Sequence, residues 1–253
     1  MARSMNVAPG GWKYALPPLL AAPFALLFSV GASLVALLAG VGTLAFFRDP
    51  DRNPPPAGVV APADGTVSVL REEEGRVRLG IFMNVWHVHV VRAPFAGRVT
   101  DVEHVSGANR LAFSKESDRN ERVHVAVETD SPQLPDPELA VDDEPASDPD
   151  RSQHSTAATV TLIAGAFARR IVPYVEPDGE LERGQRLGHI AFGSRVDLLF
   201  PPGVGIEDVA VEPGDSTTAG ETVVLEPEEE TLLEAGFEDA ERESDDDVAV
   251  GSA

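Results

Sequence analysis

The stretch VRLGIFMNVWHVHVVRAPFAGRV (77–99) decides the fold class. Val77, Leu79, Ile81 and Met83 alternate with Arg78, Gly80 and Phe82, the period of two that sends successive side chains to opposite faces of a strand. Residues 85–91 continue the β-branched habit, and the Pro94 and Gly97 region breaks it as turn residues do. Working outward, similar runs occupy 65–70, 98–105, 122–128, 159–163, 187–192, 195–200 and 207–211, separated by Gly, Pro and Asp. No window of this body keeps the i, i+3, i+4, i+7 spacing of a helix over three turns. The expected fold is mainly β, α+β at most.

Upstream the chain changes character. From Tyr14 to Phe47 there are 34 residues without a charge. A single membrane span needs roughly 20 apolar residues, so the stretch is long enough. One straight helix of that length would reach about 50 Å, well past a hydrocarbon core of roughly 30 Å. Pro17, Pro18 and Pro23 interrupt its first third. Two arrangements remain: one span over 26–47 after an interfacial entry, or a tight hairpin with both ends on one side. Arg3, Lys13, Arg48 and Arg52 flank the stretch and favour a cytoplasmic side for both ends. The run exceeds the 7–15 residues of a signal-peptide apolar region, so a membrane anchor is expected rather than a cleaved leader. Asn53-Pro54-Pro55-Pro56 then forms a stiff connector. The expected organisation is an anchor and connector over 1–52, a strand-rich body over 53–225 and a tail over 226–253.

The chain carries 20 basic and 42 acidic residues, a net charge of −22. That balance argues against a nucleic-acid partner, since such proteins set Lys and Arg against phosphate. The charge is concentrated in two places. Residues 130–150 hold eight acids and no base, and 226–253 hold twelve acids and one base. The first, extended to 153 and rich in proline, reads as a disordered insertion, and the second as a solvated tail or one short acidic helix around 232–240. Only Lys13 and Lys115 are lysines, and this acidic, lysine-poor composition suits a high-salt cytoplasm. Cysteine is absent, which excludes disulfides, thiolate metal sites and cysteine nucleophiles.

Four clusters could carry chemistry: Pro62-Ala63-Asp64-Gly65, Trp86-His87-Val88-His89 with Arg92 and Pro94, Asn120-Glu121-Arg122, and Phe192-Gly193-Ser194-Arg195. Each is weak alone. Asp-Gly is a common turn, His-x-His on a strand suits a metal, acid–base work or a half-buried strand, and Asn-Glu-Arg suits an exposed turn. In this order, behind an apolar segment and Arg48-Asp49-Pro50-x-Arg52, they are much more specific. The chain resembles the phosphatidylserine decarboxylase family, in its short prokaryotic and archaeal branch. The matching stretches are FFRDPDRNPPPAGVVAPADGTV (46–67), IFMNVWHVHVVRAPFAGRV (81–99), NERV (120–123) and GQRLGHIAFGSRVDLLFP (184–201).

The resemblance implies a self-processing membrane enzyme with a barrel-sandwich-like β body. The precursor would break between Gly193 and Ser194, into chains of 193 and 60 residues. Ser194 would attack the preceding carbonyl, and elimination with hydrolysis would turn it into a covalent pyruvoyl cofactor, releasing ammonia. That ketone would form a Schiff base with the substrate amine and accept electrons as carbon dioxide leaves. The product of a serine-headed phospholipid, phosphatidylserine or archaetidylserine, would be its ethanolamine-headed counterpart. Asp64 matches the family's aspartate, which orients or polarises a base. Anchored on Pro94, His89 takes the place of the first family histidine and Arg92 that of the second, while His87 is an addition. Arg92 and Arg195 are the expected phosphate-binding residues, and no metal is expected.

Two other classes fit parts of the chain. Repeated turn-and-strand phrases such as Ala93-Pro94-Phe95-Ala96-Gly97 suit a biotinyl- or lipoyl-type carrier, yet neither lysine stands at a hairpin tip between apolar residues. A zinc hydrolase built on His87 and His89 would need a third ligand from His104, His124 or His189, and none lies in a recognisable partner motif.

Overall fold

Alternation is what the strands obey. The computed structural model describes residues 5–107, 120–129, 158–165, 170–191 and 194–226, with the backbone but not the side chain of Ser194. The insertion, the tail beyond Glu226 and Gly193 lie outside the described residues. In order, the elements are β1 (Met5–Val7), α1 (Trp12–Leu26), α2 (Val30–Phe46), β2 (Arg48–Pro50), β3 (Val59–Val60), β4 (Gly65–Glu73), β5 (Arg76–Met83) and β6 (Val90–Arg92). They continue with β7 (Gly97–Val105), β8 (Arg122–Glu128), β9 (Ala158–Ala164), β10 (Ile171–Pro173), β11 (Glu180–Leu181), β12 (Arg186–Ile190), β13 (Ser194–Leu199), β14 (Ser216–Thr217) and β15 (Val223–Leu225). The fold is mainly β, as the residue pattern predicts.

An eight-stranded antiparallel sheet runs β11-β7-β8-β9-β13-β5-β4-β14, and a three-stranded sheet runs β10-β12-β6. In β8, Val123, Val125 and Val127 are buried while the residues between them are not. The same alternation turns Val77, Leu79, Ile81 and Met83 of β5 inward, with Val196 and Leu198 of β13. They share one core with Val91 of β6 and with Leu187 and Ile190 of β12, so the small sheet packs on the inner face of the large one. Each large apolar side chain removed from water there contributes about 1.5–3 kcal/mol.

Two expected strands are different. Residues 85–91 give a strand only from Val90, because Asn84 folds the chain back first: its side-chain oxygen accepts from Trp86 N–H at 2.9 Å. Residues 207–211 begin instead as a short 3₁₀ turn, Ile206–Asp208, held by the Asp208 carboxylate accepting from Gly205 N–H at 2.8 Å.

The apolar N-terminal stretch is a helical hairpin. Tyr14 at the start of α1 stacks on Phe47 just past α2, with ring centroids 5.2 Å apart, so the helices run antiparallel. α1 continues through Pro17, Pro18 and Pro23 rather than breaking there. Its contact with α2 is close, since a Cβ on Gly40 would lie 2.5 Å from the Leu19 side chain. A turn at residues 27–29 replaces the single span, and among the described residues no helix is long and apolar enough to cross a membrane. β1 pairs with β2 across the hairpin's root and ties its two ends together.

Candidate active site

Strand register assembles the site. Thr66 of β4 pairs with Phe82 of β5, Phe82 with Arg195 of β13, Arg195 with Ile163 of β9, and Ile163 with Arg122 of β8. One step further along this row stand Met83 and Ala164, the two partners of Ser194. Ala164 N–H donates to Glu121 O at 2.9 Å, and Asn120 Nδ2 donates to Ala164 O at 2.8 Å. Gly65 closes in from the other side, where a Cβ would meet Phe82 O at 2.4 Å, so only glycine fits. All four sequence clusters therefore meet at one end of the large sheet.

Met83 leads directly into the 84–87 turn and so brings both histidines beside Ser194's strand. Asn84 N–H donates to His87 Nδ1 at 3.1 Å. His89 is 2% exposed and its Nδ1 lies 2.9 Å from His87 O. A carbonyl only accepts, so His89 carries its proton on Nδ1 and presents Nε2 as a bare acceptor. Among the described residues that buried Nε2 has no hydrogen-bond partner. Burial is the main cause that pushes the His89 pKa down to about 4, so the ring is neutral near pH 7. His87 is also lowered by burial, and Asp64 opposes the shift.

Residues from the hairpin root back these groups. Phe46 lies 4.3 Å from the His89 ring, and Phe47 meets His189 edge-on at 5.8 Å. Tyr174 Oη and His189 Nδ1 are 2.6 Å apart. Burial raises the Tyr174 pKa, so the phenol stays protonated and donates to His189.

The charged residues are heavily engaged. Both Asp64 oxygens accept from Arg52 Nη2, at 2.8 and 2.9 Å, and Oδ1 also accepts from Ala219 N–H at 2.8 Å. Asp64 thus reaches His87 through its field, without a hydrogen bond to it. Arg92 donates to Asp49 Oδ1 at 2.7 Å, Pro50 O at 3.0 Å and Gly184 O at 2.9 Å. Its guanidinium holds the hairpin root to the body, and Arg186 grips the other Asp49 oxygen. Arg195 is buried rather than exposed and pairs with Asp197 at 2.8 and 2.9 Å. An open cleft of about 740 Å³ runs beside this network, lined in part by Arg52, Arg92, Tyr174 and Arg186.

Asp49, Arg186 and Tyr174 were not expected from the sequence, and His189 entered only as a candidate third zinc ligand. Asp49 and Arg186 sit inside the family-like stretches, and Tyr174 is one of only two tyrosines. Nothing in their spacing announces that they meet. Among the described residues no three His, Asp or Glu side chains converge as a metal-binding group, His87 and His89 included.

The phosphatidylserine decarboxylase family model matches residues 42–134 and 150–225, which contain every cluster named above. The chain belongs to the phosphatidylserine decarboxylase family. It is 48% identical over 217 residues to a Halobacterium salinarum protein named "Putative archaetidylserine decarboxylase proenzyme", covering 85% of this chain and 96% of that one. A Streptomyces griseus phosphatidylserine decarboxylase proenzyme is 45% identical over 195 residues, 77% of each chain. One from Thermobifida fusca is 41% identical over 226 residues, 86% of this chain and 91% of its own. The chain is a decarboxylase, and its relatives carry names that mark them as precursors acting in phospholipid metabolism.

Proposed function

We propose that this chain cuts itself between Gly193 and Ser194 and then decarboxylates a serine-headed phospholipid at a membrane surface. The single observation that supports this most is the meeting of Ser194's strand with the His89 turn at one sheet end. Residue types there fit a pyruvoyl group formed from Ser194: the strand start is paired on both sides, and a buried, unfilled acceptor stands on the turn that follows Met83. Such a group supplies a ketone that captures the serine amine and draws electrons as carbon dioxide departs.

This chain's own residues would then act as follows. His89 Nε2 takes the hydroxyl proton as Ser194 Oγ attacks the Gly193 carbonyl carbon. The C–N bond breaks, leaving an ester and a free amine at 194. Loss of the α-proton then expels residues 1–193 as a carboxylate, and water replaces the nitrogen as ammonia. In the later reaction His89 Nε2 returns a proton to the substrate carbon. Arg52 holds Asp64, and with it the 62–65 turn, against Ala219. The acidic composition and the name of the Halobacterium relative favour archaetidylserine, with ether-linked tails, as substrate. The apolar hairpin favours residence at the cell membrane, with the body on the cytoplasmic side.

The test is to present the purified full chain with serine-headed phospholipid in mixed micelles. Carbon dioxide and the ethanolamine-headed lipid should appear in equal amounts. Release of neither, from protein that is fully cut, would overturn the substrate assignment.

The buried histidine adds a pH dependence. Its pKa is about 4 when folded and about 6.5 when unfolded, so between these values the unfolded chain binds more protons. The contribution is whole above about pH 6.5 and is lost as pH falls towards 4, by about 3 kcal/mol in all. Denaturant titrations at pH 7 and pH 4.5 should therefore show a smaller fall for His89→Asn than for the unsubstituted chain. Equal falls would mean that His89 charges freely in the fold.

A further inference from the structure

Indole is the side chain a globular body usually hides, and this chain has only two. Both are outside. Trp86 is 81% exposed and Trp12 is 51% exposed. They come from sequence positions far apart, yet both stand at the root of the helical hairpin. Trp12 opens α1, while Trp86 is fastened to the end of α2 by Arg48, which donates to Ala45 O at 2.8 Å and also to Trp86 O.

The exposure of Trp86 is built in. Asn84 accepts from Trp86 N–H through its side chain at 2.9 Å and from His87 N–H through its carbonyl at 3.1 Å. The turn is thereby fixed with the indole and Val85, itself 53% exposed, pointing away from the body. We propose that the 84–87 turn is a second membrane contact, with Trp86 seated at the boundary between headgroups and acyl chains beside the hairpin. This inference rests on the membrane residence proposed above and adds to it where the catalytic body meets the bilayer.

Three observations select a bilayer as the occupant. The hairpin's far end is apolar and open, with Leu27, Phe28 and Val30 each at least 74% exposed. α1 and α2 have 15 and 17 residues, about 22 and 26 Å at the helical rise, so the hairpin is shorter than a hydrocarbon core. A hairpin that buries its tip and keeps its root in water-rich headgroups brings Trp12, Tyr14 and Trp86 to the level where aromatic belts form. Charge agrees with that placement. Lys13 and Arg48 stand at the same root in a chain of net charge −22, where basic groups are drawn to an anionic lipid surface. His87 follows Trp86 directly, and His89 comes two residues later. The depth at which the indole rests thus sets the height of the reacting groups above the membrane, so that a lipid headgroup reaches them without leaving its leaflet.

The experiment uses the full chain with Trp12→Phe, so that Trp86 is the sole indole. It is mixed with vesicles of phosphatidylcholine and phosphatidylglycerol, plain or carrying acyl chains brominated near the headgroup. The expected result is that the chain floats with the vesicles, that its emission shifts to the blue, and that the brominated lipid removes most of it. A chain that floats while Trp86 emission stays unshifted and unquenched overturns the second contact and leaves the hairpin anchor standing. A chain that does not float overturns both. Emission already blue-shifted without lipid and insensitive to bromine overturns the inference in favour of a second copy of this chain on Trp86. The reciprocal Trp86→Phe chain reports on Trp12 and so reads the hairpin root independently.

Discussion

Ser194→Ala should leave one chain of 26.8 kDa where the unsubstituted protein gives two, of 193 and 60 residues. The effect is all or none because the hydroxyl oxygen is both the attacking atom and the leaving oxygen of the elimination, and alanine supplies neither. Folding should survive the change. Position 194 is joined to Met83 and Ala164 through its backbone, and alanine keeps that pairing. The uncut variant should therefore show the same far-ultraviolet circular dichroism and nearly the same denaturation midpoint as a freshly made precursor. In the unsubstituted protein the small chain should resist Edman degradation and weigh less, by one ammonia, than a chain begun by serine. An uncut unsubstituted protein, or a variant still cut after Gly193, would remove the self-processing mechanism altogether.

The sequence was most legible where local rules suffice. Val77 to Met83 and Arg122 to Glu128 alternate, and burial follows the pattern throughout β8 and everywhere in β5 but at Gly80, which is covered as well. Where a single side chain overrules the pattern, the reading failed. Asn84 gathers three hydrogen bonds around a turn in a β-branched run, and Asp208 does the same for Gly205. The motifs at Asp64, His89, Asn120 and Ser194 could be named but not joined, because register between distant strands is a tertiary fact. Arg92 shows the limit most plainly. Its place in the family-like stretch suggested a phosphate, and the structure gives its guanidinium to Asp49, 43 residues earlier and beyond a proline-rich connector. Spacing along the chain has no means of announcing such a pair.

That pair carries the second large effect. Asp49 is 1% exposed and its two oxygens are held by Arg92 and Arg186. Asp49→Ala would strand the Arg92 cation, itself 7% exposed, among carbonyls that cannot neutralise it. Removing one partner of a buried ion pair costs about 3–5 kcal/mol, a large share of a total stability of roughly 5–15. The loss should appear as a lower denaturant midpoint and should persist in concentrated salt, because buried charges are poorly screened. Arg98→Ala offers the contrast. Its pair with Asp178 is exposed on both sides, and its removal should cost less than about 1 kcal/mol. A companion variant separates the pair from the site it occupies: Asp49→Leu with Arg92→Met replaces both charges by apolar groups and should recover much of the loss, with Arg186 free to turn to solvent. If Asp49→Ala cost no more than Arg98→Ala, the hairpin root would not be held to the body by this carboxylate. The anchoring of α2 beside His89 would then rest on the ring contacts of Phe46 and Phe47 with His89 and His189, and on Arg48, which donates to Trp86 O.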